Sequence, residues 1–356
     1  MSIQRVFAAM SGGVDSAAAA LLLRRAGYDV TGVTLRLHAY KDRPGLCGSA
    51  DDIEMAKAVS AAMGIPHQVL DLSGLFRTAV MDHFVEEYVQ GRTPNPCIDC
   101  NREIKFGALL DWALEQGADA IATGHYARVR YDEERGRWLL LRGKDRRKDQ
   151  SYVLYQLTQR QLSHLLLPVG DYEKPAIRAL AAEAGLDNAE KADSQDICFV
   201  PDGDYVGFLQ RYGGVTPVPG DFVDQEGHVL GRHRGLECYT TGQRKGLGVS
   251  ADAPLYVVRK DLDAGTVVLG PDSALYTDTL TAERVNLISL SALTGPIQVT
   301  AKTRYSQKEA EATVEPLEDG RVRVTFAQPQ RAVTAGQAVV FYDGEAVVGG
   351  GTICGR

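Results

Sequence analysis

The chain has 356 residues, 44% of them apolar and 24% charged, with a formal net charge of -7. That length exceeds one ordinary hydrophobic core, so two or three domains are expected; the lack of any membrane-length apolar run and of a basic leader in residues 1–10 predicts a cytosolic protein. The negative balance excludes a surface coated in positive charge for indiscriminate nucleic-acid binding, so any RNA contact must be local.

Short β-branched runs near 5–10, 29–36, 67–71 and 119–123 alternate with helical patterns, the order expected of parallel strands joined by crossover helices. The first strand leads into Ser11-Gly12-Gly13-Val14-Asp15-Ser16, and an Ala- and Leu-rich helix starts at about Ser16. Backbone N–H groups of such a turn, added to a helix N-terminus, make an anion site. The glycines let the backbone approach a phosphate, Ser11 and Ser16 add hydroxyls, and Asp15 could hold Mg2+. The lysine of G-x-x-x-x-G-K-[ST] is missing, so this differs from the phosphate loop of kinases and GTPases. Gly27 marks the end of the first helix, and Ser49 followed by Asp52 resembles a capping box for the second. Further helices are expected over 73–90 and 102–116. Together these predict a doubly wound α/β domain with ligands beyond the carboxyl ends of its strands.

Within Thr93-Pro-Asn-Pro-Cys-Ile-Asp-Cys-Asn-Arg-Glu-Ile-Lys-Phe106, thiols Cys97 and Cys100 stand where a proline-stiffened loop gives way to helix. A helix N-terminus favours thiolate, the form that attacks and ligates. A third thiol, Cys198, lies in Asp193-Ser-Gln-Asp-Ile-Cys-Phe199. A bare C-x-x-C also fits half a zinc site or two small buried side chains. Asp99 between the thiols reads either as a general acid/base or as an exposed loop carboxylate. His125 reads as a phosphate or base contact, or as structural. The run Arg142-Gly-Lys-Asp-Arg-Arg-Lys148 has five basic residues in seven and reads as an RNA patch or a solvated loop. From about 215 onward, short alternating segments such as Tyr256–Val258, Val299–Tyr305, Val322–Phe326, Val339–Phe341 and Val347–Ile353 are separated by turn residues. They predict two small β-rich, barrel-like domains, giving divisions at 1–205, 206–277 and 278–356.

SGGVDS resembles the loop of the PP-loop ATP pyrophosphatases, adenine nucleotide α-hydrolase-like proteins that cleave ATP between the α and β phosphates. With TPNPC..CN.EIKFG, ATGHYAR, KDQSYVL, SQDICFV and TTGQRKGLG in order, nearly the whole chain resembles the tRNA-specific 2-thiouridylase family. The resemblance implies a tRNA-uridine sulfurtransferase of the cytoplasm: ATP, with Mg2+, adenylates the carbon-2 oxygen of the wobble uridine, and sulfur replaces it. It implies an ATP site of Ala9, Met10, Ser11, Gly12, Gly13, Val14, Asp15, Ser16, Leu35 and Gly124. It implies tRNA contacts at Asn95, Pro96 and Cys97 around a flipped base, at Lys148, Asp149 and Gln150, and at Arg304 and Tyr305. Arg244 and Lys245 would add a basic patch or form a plain turn.

The resemblance also implies that Cys198 carries a persulfide from a sulfur-relay or cysteine desulfurase partner, with Cys100 as the thiol that releases it and pairs with Cys198 in a disulfide. Leu35 departs from a frequent methionine, and Cys97 from a frequent aspartate. Because of Cys97, the three thiolates Cys97, Cys100 and Cys198 could instead hold a 4Fe-4S cluster with one iron open to hydrosulfide, and the donor set tips the reading that way. The alternatives are another PP-loop ligase, in which nitrogen attacks, and a non-catalytic tRNA or sulfur carrier. Cys47, Cys238 and Cys354 are assigned no chemistry.

Overall fold

The computed structural model describes residues 3–38, 49–189 and 197–355, and its N-terminal half is built on a five-stranded parallel sheet. β1 (Arg5–Ala9), β2 (Asp29–Arg36), β3 (His67–Asp71) and β4 (Ala120–Ala122) fall on the four apolar runs. A hairpin of β5 (Ala127–Asp132) and β6 (Arg137–Arg142) then leaves the sheet, and β7 (Leu165–Leu166) returns to its edge. The resulting order, β3-β2-β1-β4-β7, reverses direction between β1 and β4. At such a reversal the loops diverge and leave a crevice. Val6, Phe7 and Val33 are buried because helices cover both sheet faces, which is why these strands read as continuous apolar runs. Ala17, Ala18, Ala19 and Ala20 let the helix Val14–Arg25 lie close against the sheet.

Two long helices flank the crevice. One spans residues 73–89 with a wide, i→i+5 segment at Arg77–Asp82; the other spans 96–115 with a wide segment at Cys100–Ala108. The second starts earlier than its expected 102. Pro96 suits a first-turn position, and the Asn95 side chain caps the turn by accepting from Cys97 N at 3.2 Å. Both thiols therefore belong to the helix.

Downstream, β8 (Gly220–Val223), β9 (Val229–His233), β10 (Tyr256–Asp261) and β11 (Thr266–Gly270) form a separate sheet of order β10-β11-β8-β9. Phe222, Tyr239, Val257, Val267 and Leu269 make its core. β12 (Tyr276–Leu287), β13 (Ile297–Lys302), β14 (Ala310–Pro316), β15 (Val322–Arg331), β16 (Ala338–Asp343) and β17 (Ala346–Gly355) follow. Their order is β12-β15-β14-β13-β16-β17, and β17 pairs back onto β12, closing a six-stranded barrel with no free edge. Alternate residues Val322, Val324 and Phe326 point inward. The strand expected over 299–305 ends at Lys302, which leaves Arg304 and Tyr305 in the turn that follows.

The barrel is fastened to the N-terminal domain. β6 pairs with β17 at Leu141 and Ala346, so the β5–β6 hairpin extends the barrel's sheet. One hydrophobic cluster contains Phe7, Tyr152 and Tyr155 together with Val340, Tyr342 and Val347. Gln337 Nε2 donates to Thr93 O at 2.7 Å, which holds the loop leading to the thiols against the barrel. Asn286 Nδ2 donates to Tyr155 O at 2.7 Å and Leu157 O at 3.1 Å. Asn286→Ala removes the donor for both carbonyls and is expected to cost about 1–3 kcal/mol. Calorimetry should show a lower melting temperature, and a wild-type melt would mean the junction does not depend on this contact.

Candidate active site

The phosphate loop leaves β1 in a fixed direction. Met10 N donates to Val33 O at 2.8 Å, and Thr34 Oγ1 donates to Met10 O at 2.7 Å. Gly12 has φ +73°, and a Cβ there would stand 2.8 Å from Asp52 O, so both conformation and space demand glycine. Ser16 Oγ donates to Gly13 O at 2.9 Å and accepts from Ser11 N at 3.1 Å, closing the turn on itself. The helix Val14–Arg25 begins after Gly13 with no side-chain cap, so its first-turn N–H groups are available to an anion. Gly124, just past β4, lies on this turn: a Cβ would be 2.6 Å from Asp15 C and Ser16 N. The structure thus brings Ala9 to Ser16 and Gly124 into one wall of the β1–β4 crevice. Leu35 packs partly buried between the central core and the cluster that holds the thiols.

Asp15 does not fit as a magnesium ligand in this arrangement. Its Oδ1 and Oδ2 accept from Lys174 Nζ at 2.8 and 2.7 Å, and Oδ1 accepts from Tyr126 OH at 2.7 Å. The carboxylate is already neutralised by a buried ammonium, a partner that sequence reasoning missed because Lys174 lies 159 residues away.

Cys97, Cys100 and Cys198 are reduced thiols, exposed, buried and half-buried respectively. Cys100 belongs to a cluster with Leu37, Phe76, Ile104 and Phe199, and Cys198 packs against the same cluster. Cys97, three residues before Cys100 in the same helix, is exposed. The Tyr305 phenol is pushed up by burial first, then by the Asp149 carboxylate and the Cys97 thiol beside it. Among the described residues, the one group of three or more His, Cys, Asp or Glu with ligand atoms mutually within 4.8 Å is Asp224, Glu226 and His228; the thiols do not form such a group. Burial raises the thiol pKa of Cys238 and of Cys354, and neither packs in the cluster holding Cys100. Cys47 and residues 193–196 lie outside the described residues.

Asp99 is buried rather than exposed on a loop. Arg102 Nη2 lies 3.3 Å from Oδ1 and His83 Nε2 lies 3.8 Å from Oδ2, while burial, the largest influence, raises the carboxyl's pKa. It lines a polar cavity of about 20 Å³ with His83, Glu87, Arg284 and Gln156, and no thiol lines that cavity. His125 is buried, its Nδ1 2.6 Å from Thr123 Oγ1, and burial holds it well below the usual imidazole range, as an uncharged ring. His38, at the carboxyl end of β2, meets Phe76 edge-on at 4.9 Å; burial lowers its pKa to about 4.

The candidate tRNA residues gather along the barrel rim with unequal duties. Tyr305 is 41% exposed, its ring 6.0 Å from Tyr152, and Lys302 Nζ lies 5.9 Å from its centroid. Arg304 Nη2 is engaged by Ala332 O at 2.7 Å, Thr334 Oγ1 at 2.9 Å and Thr241 O at 3.3 Å, which ties the rim to the TTGQRKGLG segment. Arg244 and Lys245 in that segment are exposed. Asp149 Oδ1 accepts from Gly143 N at 3.0 Å and Ser151 N at 3.1 Å, and Gln150 Oε1 from Tyr126 N at 3.0 Å, so both residues shape the loop that carries Lys148. Within the basic run, Arg142 pairs with Glu309 and Arg146 with Glu345 of the barrel, while Lys144 and Arg147 remain exposed. Asn95 and Pro96 immediately precede Cys97, Asn95 capping the first turn of its helix and Pro96 buried within it.

Three family models match the chain: a "tRNA methyl transferase HUP domain" over residues 4–202, a "tRNA methyl transferase PRC-barrel domain" over 206–271 and an "Aminomethyltransferase beta-barrel domain" over 277–353. The chain is 49% identical over 358 residues to "tRNA-specific 2-thiouridylase MnmA" of Acetivibrio thermocellus, covering 99% of this chain and 100% of the relative. It is 52% identical over 356 residues to the protein of the same name from Heliobacterium modesticaldum, covering 98% and 92%. A solved "U34-tRNA thiolase NcsA from Methanococcus maripaludis with its [4Fe-4S] cluster" matches 58% of this chain and 66% of its own at a TM-score of 0.35 and 17% identity, too remote a likeness to bear on this site.

Two outcomes follow from this geometry. Gly124→Ala forces a methyl against the phosphate-loop backbone and is expected to weaken ATP binding at least tenfold with the fold retained, while Gly74→Ala, with nothing within 4 Å, leaves it unchanged; equal affinity in titration calorimetry would contradict the assembled wall. Burial disfavours protonated His38, so the unfolded chain takes up its proton first, and the stability this neutral ring contributes is lost as pH falls from about 6.5 toward about 4. His38→Gln should flatten the melting temperature across that window.

Proposed function

The chain belongs to the tRNA-specific 2-thiouridylase family and is a tRNA-modifying sulfurtransferase, and from that premise we propose how its own residues divide the reaction. The backbone of residues 9–16 and Gly124 grips ATP at the carboxyl ends of β1 and β4 and presents its α-phosphate. The flipped wobble uridine enters between Cys97 and the Tyr305 rim, where a ring can stack on the base and Lys302 and Lys148 supply charge. Its carbon-2 oxygen attacks the α-phosphorus, pyrophosphate leaves, and the oxygen becomes part of an AMP leaving group.

Sulfur then replaces that oxygen. Cys198, charged as a persulfide by a donor protein, attacks carbon-2 through its terminal sulfur, and AMP departs with the oxygen. The Cys100 thiolate attacks the Cys198 Sγ, the Sγ–sulfur bond breaks, its electron pair stays on the uridine sulfur, and a Cys100–Cys198 disulfide forms that an external dithiol reduces. The observation that supports this reading is the apolar cluster to which Cys100 belongs and against which Cys198 packs, while Cys97, three residues before Cys100, is exposed. Asp99 is read here as a positioning group: through Arg102 of its own helix and His83 of the neighbouring one it holds the first turn against the helix of residues 73–89 instead of moving a proton at sulfur. Among the described residues no helix is long and apolar enough to cross a membrane.

A second reading rests on the donor set alone. Three thiolates are the ligand type of an iron–sulfur cluster, which Cys97, Cys100 and Cys198 would have to close together to hold, since their sulfurs are not all within 4.8 Å of one another here, and which would supply an iron that binds hydrosulfide. Anaerobic purification with iron and acid-labile sulfide analysis, followed by thiolation assays of Cys97→Ala, Cys100→Ser and Cys198→Ser, separates the two. The pair mechanism predicts iron-free activity, loss of more than 100-fold in the Cys100 and Cys198 variants on the order seen when a nucleophile is removed, and a largely active Cys97 variant. Stoichiometric iron and an inactive Cys97→Ala would replace the pair with the cluster.

A further inference from the structure

We propose that Tyr126 and Lys174 are positioning residues that couple the tRNA-contacting loop of residues 144–151 to the phosphate loop, so that seating tRNA tightens the grip on ATP; this rests on the function proposed above. Two independent arms converge on one carboxylate. In the first, Gln150 N donates to Tyr126 O at 2.8 Å and Tyr126 N donates to Gln150 Oε1 at 3.0 Å, while Tyr126 OH reaches Asp15 Oδ1 at 2.7 Å. In the second, the Asp145 carboxylate accepts from Arg147 N and from Lys174 N, each at 3.0 Å, and Lys174 Nζ holds both oxygens of Asp15. Lys144 N, also in the loop, donates to Gly170 O at 2.8 Å, four residues before Lys174.

The chemistry of this junction favours coupling over passive support. Asp15 sits in the first turn of the helix that receives phosphate, so an uncompensated charge there would repel the ligand it is meant to admit. Lys174, itself buried, supplies the compensating charge, and its backbone is placed by a carboxylate from the tRNA loop. Tyr126 is buried with its backbone spliced to that loop and its hydroxyl on Asp15, so a shift of Gln150 moves the hydroxyl. Ligands that favour the same setting of this junction must favour each other's binding by equal factors.

The test uses the full-length protein, a wobble-uridine tRNA and the α,β-methylene analogue of ATP, with each binding constant measured by titration calorimetry alone and with the other ligand saturating. The wild type is expected to show mutual tightening of roughly 5–150-fold, the same factor in both directions. Tyr126→Phe and Lys174→Met should keep a cooperative melt and tRNA affinity but bring the factor toward one, and Lys174→Arg should restore part of it. A merely structural role would lower binary affinities and leave the factor intact, which overturns the proposal. A wild type that thiolates tRNA with a factor of one overturns the coupling alone, and a wild type that binds no tRNA overturns it together with the function beneath it.

Discussion

The molecule depends on a helix that begins without a cap beside the point where a parallel sheet reverses its order. A capped helix would satisfy its own first-turn N–H groups; here Gly13 leaves them open, and Gly124 approaches so closely that no side chain can intrude. Everything else in the N-terminal domain preserves this opening. Ser16 folds the loop through its hydroxyl, Thr34 and Val33 fix Met10, and Lys174 removes the charge of Asp15 from an anion's approach.

Sulfur chemistry needs a different environment, and the fold supplies it one strand away. Leu35 in β2 packs against both the central core and the aromatic cluster that encloses Cys100, and Leu37, just past the end of β2, belongs to that cluster. Cys97 projects from the same turn toward a wet rim where Tyr305 and Lys302 stand. The barrel has a second duty beyond offering that rim. Gln337 fixes the loop that leads to Cys97, while Asn286 and the β6–β17 pairing tie the barrel to the segment around Tyr155 and to the β5–β6 hairpin.

Much of this was legible in the chain itself. The parallel strands were readable because burial on both faces leaves uninterrupted β-branched runs, and the SGGVDS turn was readable because its Gly12 is required by a positive φ and by close backbone contact. Contacts between distant segments were not. Lys174 looks like an ordinary surface lysine before a proline, and Asp99 like a loop carboxylate; only tertiary packing buries the first on Asp15 and the second among His83, Arg102 and Arg284. The β5–β6 hairpin escaped notice because its arginines hide the alternation, two of them paired with barrel carboxylates. The basic run 142–148 was partly misleading for the same reason, since Arg142 and Arg146 hold the barrel and leave less positive charge for RNA.

The central claim is that the phosphate loop makes the uridine oxygen a leaving group before sulfur arrives. Its most direct test is single-turnover reaction of a substrate tRNA labelled with 18O at carbon-2 of the wobble uridine, followed by mass analysis of the nucleotide product. Direct adenylation predicts AMP carrying one 18O for each 2-thiouridine formed, with unlabelled pyrophosphate. AMP without label, or 18O released to water, would contradict it.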